Sequence, residues 1–156
     1  MATTGARPHL YTGSERVAGY VSTMKRAHLK TETYLVENES DLVPGVIQNF
    51  LTKGPGKLDA ILTLNGITTM LVLRVLRQLG KRVGSDIALI SFDDFDLAEL
   101  LTPSLTVVRQ PAAELGRRAA ELLFTRLQSK KPFPQQEIVL STMLHIRESC
   151  GCMQNK

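Results

Sequence analysis

Apolar positions in this chain follow two alternating rhythms, one with helical spacing and one in short unbroken runs. Val17, Tyr20, Val21 and Met24 recur at intervals of three and four and predict an amphipathic helix, with Ser14 as its N-cap. Tyr34-Leu35-Val36 then reads as a short strand. Val46, Ile47, Phe50 and Leu51 mark one face of a second helix, stopped by Lys53-Gly54-Pro55-Gly56. Ala60-Ile61-Leu62-Thr63-Leu64 suits a buried strand that breaks at Asn65-Gly66. Residues 68–79 predict a strongly apolar helix with Gly80 just past its end. Ile87-Ala88-Leu89-Ile90-Ser91-Phe92 is another buried strand, ending at Asp93-Asp94.

Beyond residue 95 the rhythm changes. Residues 96–101 suit one helical turn, closed by Thr102-Pro103. Leu105-Thr106-Val107-Val108 predicts a short strand, and residues 111–128 a long amphipathic helix opened by Pro111. A turn over 130–134 leads to two strand segments, Ile138-Val139-Leu140 and Met143-Leu144-His145-Ile146. Near-continuous apolar strands joined by helices specify an α/β fold, a parallel doubly wound sheet covered on both faces. Ligands of such sheets collect at the carboxyl ends of the strands. Here those ends carry Asn65 and Asp93-Asp94.

With 156 residues, 43% hydrophobic and 22% charged, the chain has the size and balance of one soluble globular domain. No window approaches the ~20 apolar residues of a membrane crossing. The opening Met1-Ala-Thr-Thr-Gly lacks the apolar core of an export signal. Cys150 and Cys152 stand in Cys-Gly-Cys, a gap too tight for an easy disulfide, and no other cysteine can pair with them. These features together predict a reducing cytoplasm. The net charge of +4 invites a nucleic-acid reading. Lys25/Arg26, Lys53/Lys57, Arg74/Arg77, Lys81/Arg82, Arg117/Arg118 and Lys130/Lys131 are scattered, however, without interleaved aromatics, and read as solvated surface. His9, His28 and His145 have no metal-ligand spacing, and neither a Gly-x-Ser-x-Gly elbow nor a phosphate-binding glycine loop is present. The expectation is a protein without catalysis, cofactor or metal.

Five blocks in register resemble the LacI/GalR family of regulators, whose core shares its fold with periplasmic sugar-binding proteins. They are Asp59-Ala-Ile-Leu-Thr-Leu-Asn65, the helix–loop–strand join Leu76-Arg-Gln-Leu-Gly-Lys-Arg-Val-Gly-Ser-Asp-Ile87, Ile90-Ser-Phe-Asp-Asp94, Leu101-Thr-Pro-Ser-Leu-Thr-Val-Val-Arg-Gln-Pro111, and Arg147-Glu-Ser-Cys150. Arg16-Val-Ala-Gly-Tyr20 extends the match over most of the chain. Gly66 departs from the pattern, where relatives usually carry aspartate. The resemblance implies two lobes around a sugar-sized cleft. Residues 1–108 and 143–156 would form the C-terminal lobe, and the segment 111–140 would belong to the N-terminal lobe. It further implies a sugar or sugar-phosphate effector, a homodimer, and operator DNA reached only through an N-terminal helix-turn-helix that this sequence does not contain. No membrane partner is implied. The start resembles the tail of the lobe's first strand, a central strand of the sheet, which predicts a chain truncated at its N-terminus.

The resemblance places effector contacts at Arg16, Asn65, Asp93 and Gln110. Asp93 offers a carboxylate that can accept hydrogen bonds from vicinal hydroxyls, or else cap the following turn; Asp94 reads as a cap. Arg16 offers a guanidinium fork for hydroxyl or phosphate oxygens, or a solvated surface charge. Asn65 suits a sugar hydroxyl or an ordinary Asn-Gly turn. Gln110 faces the cleft or ties down the hinge backbone. Met70, Arg74, Leu97 and Leu101 fall where relatives form a two-fold interface, or serve packing within the lobe. The alternatives to a regulator are a solute-binding component of a sugar transport system, which shares the fold, and a dimerisation module without DNA-binding activity.

Overall fold

A computed structural model describes residues 2–6, 10–35, 44–53, 58–129 and 133–152. Within them the order is β1 (Ala2–Ala6), α1 (Tyr11–Arg26), β2 (Glu32–Leu35), α2 (Pro44–Lys53), β3 (Ala60–Thr63), α3 (Gly66–Gln78), β4 (Ala88–Phe92), β5 (Thr106–Arg109), α4 (Ala112–Gln128), β6 (Met143–His145) and a closing 3-10 turn (Glu148–Cys150). One six-stranded sheet runs β2-β1-β3-β4-β5-β6. The first five strands pair in parallel. β6 runs antiparallel to β5, so the sheet is mixed at that edge rather than wholly parallel. From β1 the chain winds outward in both directions, to β2 on one side and β3 on the other, which leaves a crevice above the strand ends where the direction changes.

Every second residue of β3 and β4 is buried (Ile61 and Thr63; Leu89 and Ser91) and its neighbours are half-buried. One face of the sheet is therefore better covered than the other. The core joins Ile61 and Leu89 to Val72, Val75 and Leu76 of α3, with Leu105 and Val107 of β5. Each such fully buried aliphatic side chain contributes about 1.5–3 kcal/mol of burial free energy. Beneath the crevice runs a line of buried hydroxyls. Thr69 meets Thr63 at 2.6 Å and Ser91 at 2.7 Å, tying α3, β3 and β4 together through partnered hydroxyls.

Local signals explain most boundaries. α3 starts where Asn65 accepts the Thr68 N–H at 2.8 Å. It ends at Gly80, whose φ of +64° lets its N–H reach Arg77 O while the Lys81 N–H reaches Leu76 O. Two expectations fail. Ser14 is no N-cap, because α1 already begins at Tyr11 and the Ser14 hydroxyl donates to Tyr11 O from inside the helix. Ile138-Val139-Leu140 forms no strand; Ile138 and Val139 are exposed, and among the described residues no strand pairs with that segment. His9, Val36, Lys57, the 54–56 breaker, residues 130–132 and the Val46, Ile47 and Phe50 side chains lie outside the described residues.

Candidate functional site

Three of the four residues expected at the effector site meet above the strand ends. Asp93 leaves β4 with φ +74°, a left-handed conformation that asparagine and aspartate tolerate better than most residues. That turn is held by the Asp93 N–H donating to Val108 O at 3.0 Å. On one side its carboxylate lies 3.5 Å from the Arg16 guanidinium. On the other it accepts a hydrogen bond from the Gln110 side-chain amide. Arg16 is fixed in turn: it donates to Leu64 O at 2.6 Å and stacks 3.9 Å from the centre of the Phe92 ring. The ends of β3, β4 and β5 and the first turns of α1 thus converge on one carboxylate.

Asn65 is adjacent to the Leu64 carbonyl that Arg16 holds, but its side-chain oxygen is committed to capping α3. The turn reading therefore accounts for Asn65, and the sugar-facing one has no geometry behind it. Asp94 does cap, its Oδ1 accepting the Phe95 N–H at 3.0 Å. It also receives Arg147 through two nitrogens, at 3.3 and 3.4 Å, and Arg109 at 3.9 Å. In the sequence Arg147 stands in the terminal motif Arg147-Glu-Ser-Cys150 with no function attached to it. The motif marked the residue, but nothing local shows a pairing across more than fifty positions.

A groove of about 1040 Å³ opens beside this cluster, lined by Asp93, Asp94, Gln110, Arg109, His145 and Arg147 among others. Its far wall is the start of α4, where hydrogen bonds from Arg117 and Arg118 hold the Glu114 carboxyl below the usual carboxylate range. Arg16 and Asn65 do not line the groove; Arg16 acts on it through Asp93. A second groove of about 1000 Å³ lies between α3 and the 101–103 turn. It brings together Met70, Arg74 and Leu101, three of the four residues expected at a two-fold contact. Leu97 is exposed but stands outside it.

Residues 1–150 match the periplasmic binding protein-like domain family. The chain is 32% identical over 152 residues to the HTH-type transcriptional regulator CelR of Thermobifida fusca, covering 96% of this chain and 44% of CelR. It is 30% identical over 155 residues to a probable opine utilization operon repressor of Rhizobium rhizogenes, covering 90% of this chain and 76% of that repressor. A solved LacI-family regulatory protein from Corynebacterium glutamicum superposes with a TM-score of 0.78 at 25% identity, over 96% of this chain and 57% of that one. The chain belongs to the LacI family of transcriptional regulators. It corresponds to their periplasmic-binding-protein-like core and spans less than half the length of CelR.

The groove presents polar groups of both signs to whatever enters it. Asp93 accepts, Gln110 donates and accepts, and the Arg147 and Arg109 guanidiniums bring positive charge to the side of the groove that Asp94 occupies. Among the described residues no group of three metal-ligating side chains is found, and no helix is long and apolar enough to cross a membrane.

Proposed function

We propose that this LacI-family chain carries the lower half of an effector site, binding a sugar, a sugar phosphate or a comparable hydroxylated metabolite, and that it passes the binding event to a two-fold partner. One observation carries the reading: Asp93 is held in a left-handed turn at a strand end, with Arg16 and Gln110 on either side of its carboxylate. A carboxylate fixed in this way loses little further freedom when it accepts two ligand hydroxyls, and charge-assisted bonds are the stronger kind. Gln110 and Arg147 complete the polar floor.

The upper half would come from the lobe to which residues 111–140 belong. α4 supports this assignment because it buries none of its residues, while Leu115, Leu123, Phe124 and Leu127 lie exposed along it. A helix with such a stripe requires apolar cover. Hinge closure over the ligand would shift paired lobes across the Met70–Arg74–Leu101 groove and so change the affinity for operator DNA in the whole regulator. Such coupling is typically worth about 1–3 kcal/mol.

A thermal-shift panel of sugars and sugar phosphates tests the reading; because one relative is named for opine utilization, an opine belongs in the panel. A compound that stabilises the wild-type chain should lose its effect with Asp93→Ala and be weakened with Arg16→Ala. A shift that survives both substitutions places the site elsewhere.

A further inference from the structure

Two basic pairs that stand apart in the sequence, Arg74/Arg77 and Lys81/Arg82, line one groove in the fold. It is the groove of about 1000 Å³ between α3 and the 101–103 turn, and it shares no lining residue with the Asp93 groove. Arg74 and Arg77 are three residues apart on α3, so they share a helix face with about 5–6 Å between their Cβ atoms. Gly80 then turns the chain with φ +64°, and Lys81 and Arg82 join them at the groove. Leu73 and Leu101 give the same groove an apolar wall.

Most of this charge is uncompensated. Arg82 forks onto Asp86, at 3.1 and 3.3 Å. Among the described residues, Arg74, Arg77 and Lys81 make no side-chain hydrogen bond or ion pair. By contrast, Arg16, Arg109, Arg117, Arg118 and Arg147 all meet carboxylates. Glu148 is the sole acid among the described lining residues, and its carboxylate already accepts the Ser104 N–H and hydroxyl at 2.8 and 2.9 Å. The end of α3 does not use the cations either. Its last carbonyls, on Val75, Leu76 and Arg77, are taken by the N–H groups of Leu79, Lys81 and Gly80.

We infer that this groove binds a small multivalent phosphate anion, a diphosphate group free or as an ester, through Arg74, Arg77 and Lys81. Water and salt screen exposed charges, so one such contact is worth little and a site here must engage several at once. Each guanidinium presents a fork that matches two phosphate oxygens, and the ammonium adds a point charge. Two neighbouring arginines therefore suit two linked phosphoryl groups, whereas a single small anion meets only one of them. The inference goes beyond the effector reading, which concerns hydroxyl groups in the Asp93 groove. It is compatible with a two-fold contact over the same groove. Two copies meeting there would bring like charges together, and an anion between them offsets the repulsion.

Isothermal titration of pyrophosphate into the chain at low ionic strength tests the site. Pyrophosphate has no hydroxylated carbon for Asp93 to grip, so a failure here leaves the effector reading standing. It should bind about tenfold or more tighter than inorganic phosphate, and more weakly as salt is raised. The double variant Arg74→Gln/Arg77→Gln should weaken binding about tenfold or more. Both side chains are exposed, so the variant should keep the wild-type circular dichroism spectrum. Arg126→Gln, which removes an exposed arginine in the last turn of α4, should change affinity by less than about twofold. ADP separates the two sources: binding by both compounds supports a site for diphosphate esters, and binding by pyrophosphate alone supports a site for the free anion. Absence of pyrophosphate binding, or wild-type affinity in the double variant, overturns the inference. An equal loss with Arg126→Gln reveals non-specific attraction and overturns it too.

Discussion

The closing turn gives the sharpest quantitative consequence of this fold. The Ser149 hydroxyl donates to Leu89 O at 2.6 Å and accepts the Thr106 N–H at 2.8 Å, bridging β4 and β5 at the point where β5 begins. Ser149→Ala removes one oxygen and leaves two backbone groups unpartnered. Ser149 and Thr106 are 0% and 1% exposed, so water has no ready route to replace the hydroxyl. Each stranded group costs about 1–3 kcal/mol, a total of roughly 2–6 kcal/mol against a typical domain stability of about 5–15 kcal/mol. At about 2–4 °C per kcal/mol for a chain of this size, the midpoint should fall by roughly 4–24 °C. Urea and thermal unfolding followed by circular dichroism measure this directly. Ser104→Ala serves as the control: its hydroxyl bond to Glu148 is solvent-exposed and its loss should stay within about 0.5 kcal/mol. A Ser149→Ala loss below about 1 kcal/mol refutes the bridging role.

Further predictions concern the same frame. Gly151→Ala should destabilise by about 1–3 kcal/mol, because the left-handed φ and the 2.8 Å approach to Gly84 O both oppose a Cβ; unfolding midpoints check this. The backbone N–H of Ser104, then its hydroxyl, hold the Glu148 carboxyl below its usual range. A depressed folded value means that this contribution is complete above the unfolded carboxylate pKa of about 4.3 and is lost as pH falls through the folded value. Glu148→Gln should therefore flatten the acid limb of a stability–pH curve. Leu101→Glu places a charge in the Met70–Arg74 groove and should shift sedimentation toward monomer if that groove joins two copies; unchanged association removes the groove from the interface.

The parts of this fold that were readable in the sequence are those governed by local chemistry. Unbroken apolar runs gave β3 and β4, and the Asn65 cap and Gly80 stop bounded α3. The Asp93 strand end was visible as a carboxylate pair closing an apolar run, whereas Gln110 was marked only by the family resemblance. What the pattern could not convey was contact at long range. The stacking of Arg16 on Phe92, its bond to Leu64 O, and the reach of Arg147 to Asp94 depend on how the strand ends are juxtaposed. Ser14 misled because its type favours a cap, while the helix had already started three residues earlier. Ile138-Val139-Leu140 has strand-like residues but no adjacent edge in the described chain, and β-propensity without a partner does not make a strand.

The central claim is that Asp93 is the carboxylate that grips the effector. Isothermal titration of the most stabilising compound into wild type, Asp93→Asn and Arg77→Gln tests it most directly. Asparagine keeps the shape and tolerates the left-handed turn, so only the charge is lost. A hydrogen bond to a charged acceptor is worth about 1.5–3 kcal/mol, which predicts affinity weakened roughly ten- to hundredfold by Asp93→Asn, with Arg77→Gln, in the other groove, unchanged. Wild-type affinity in Asp93→Asn would contradict the account.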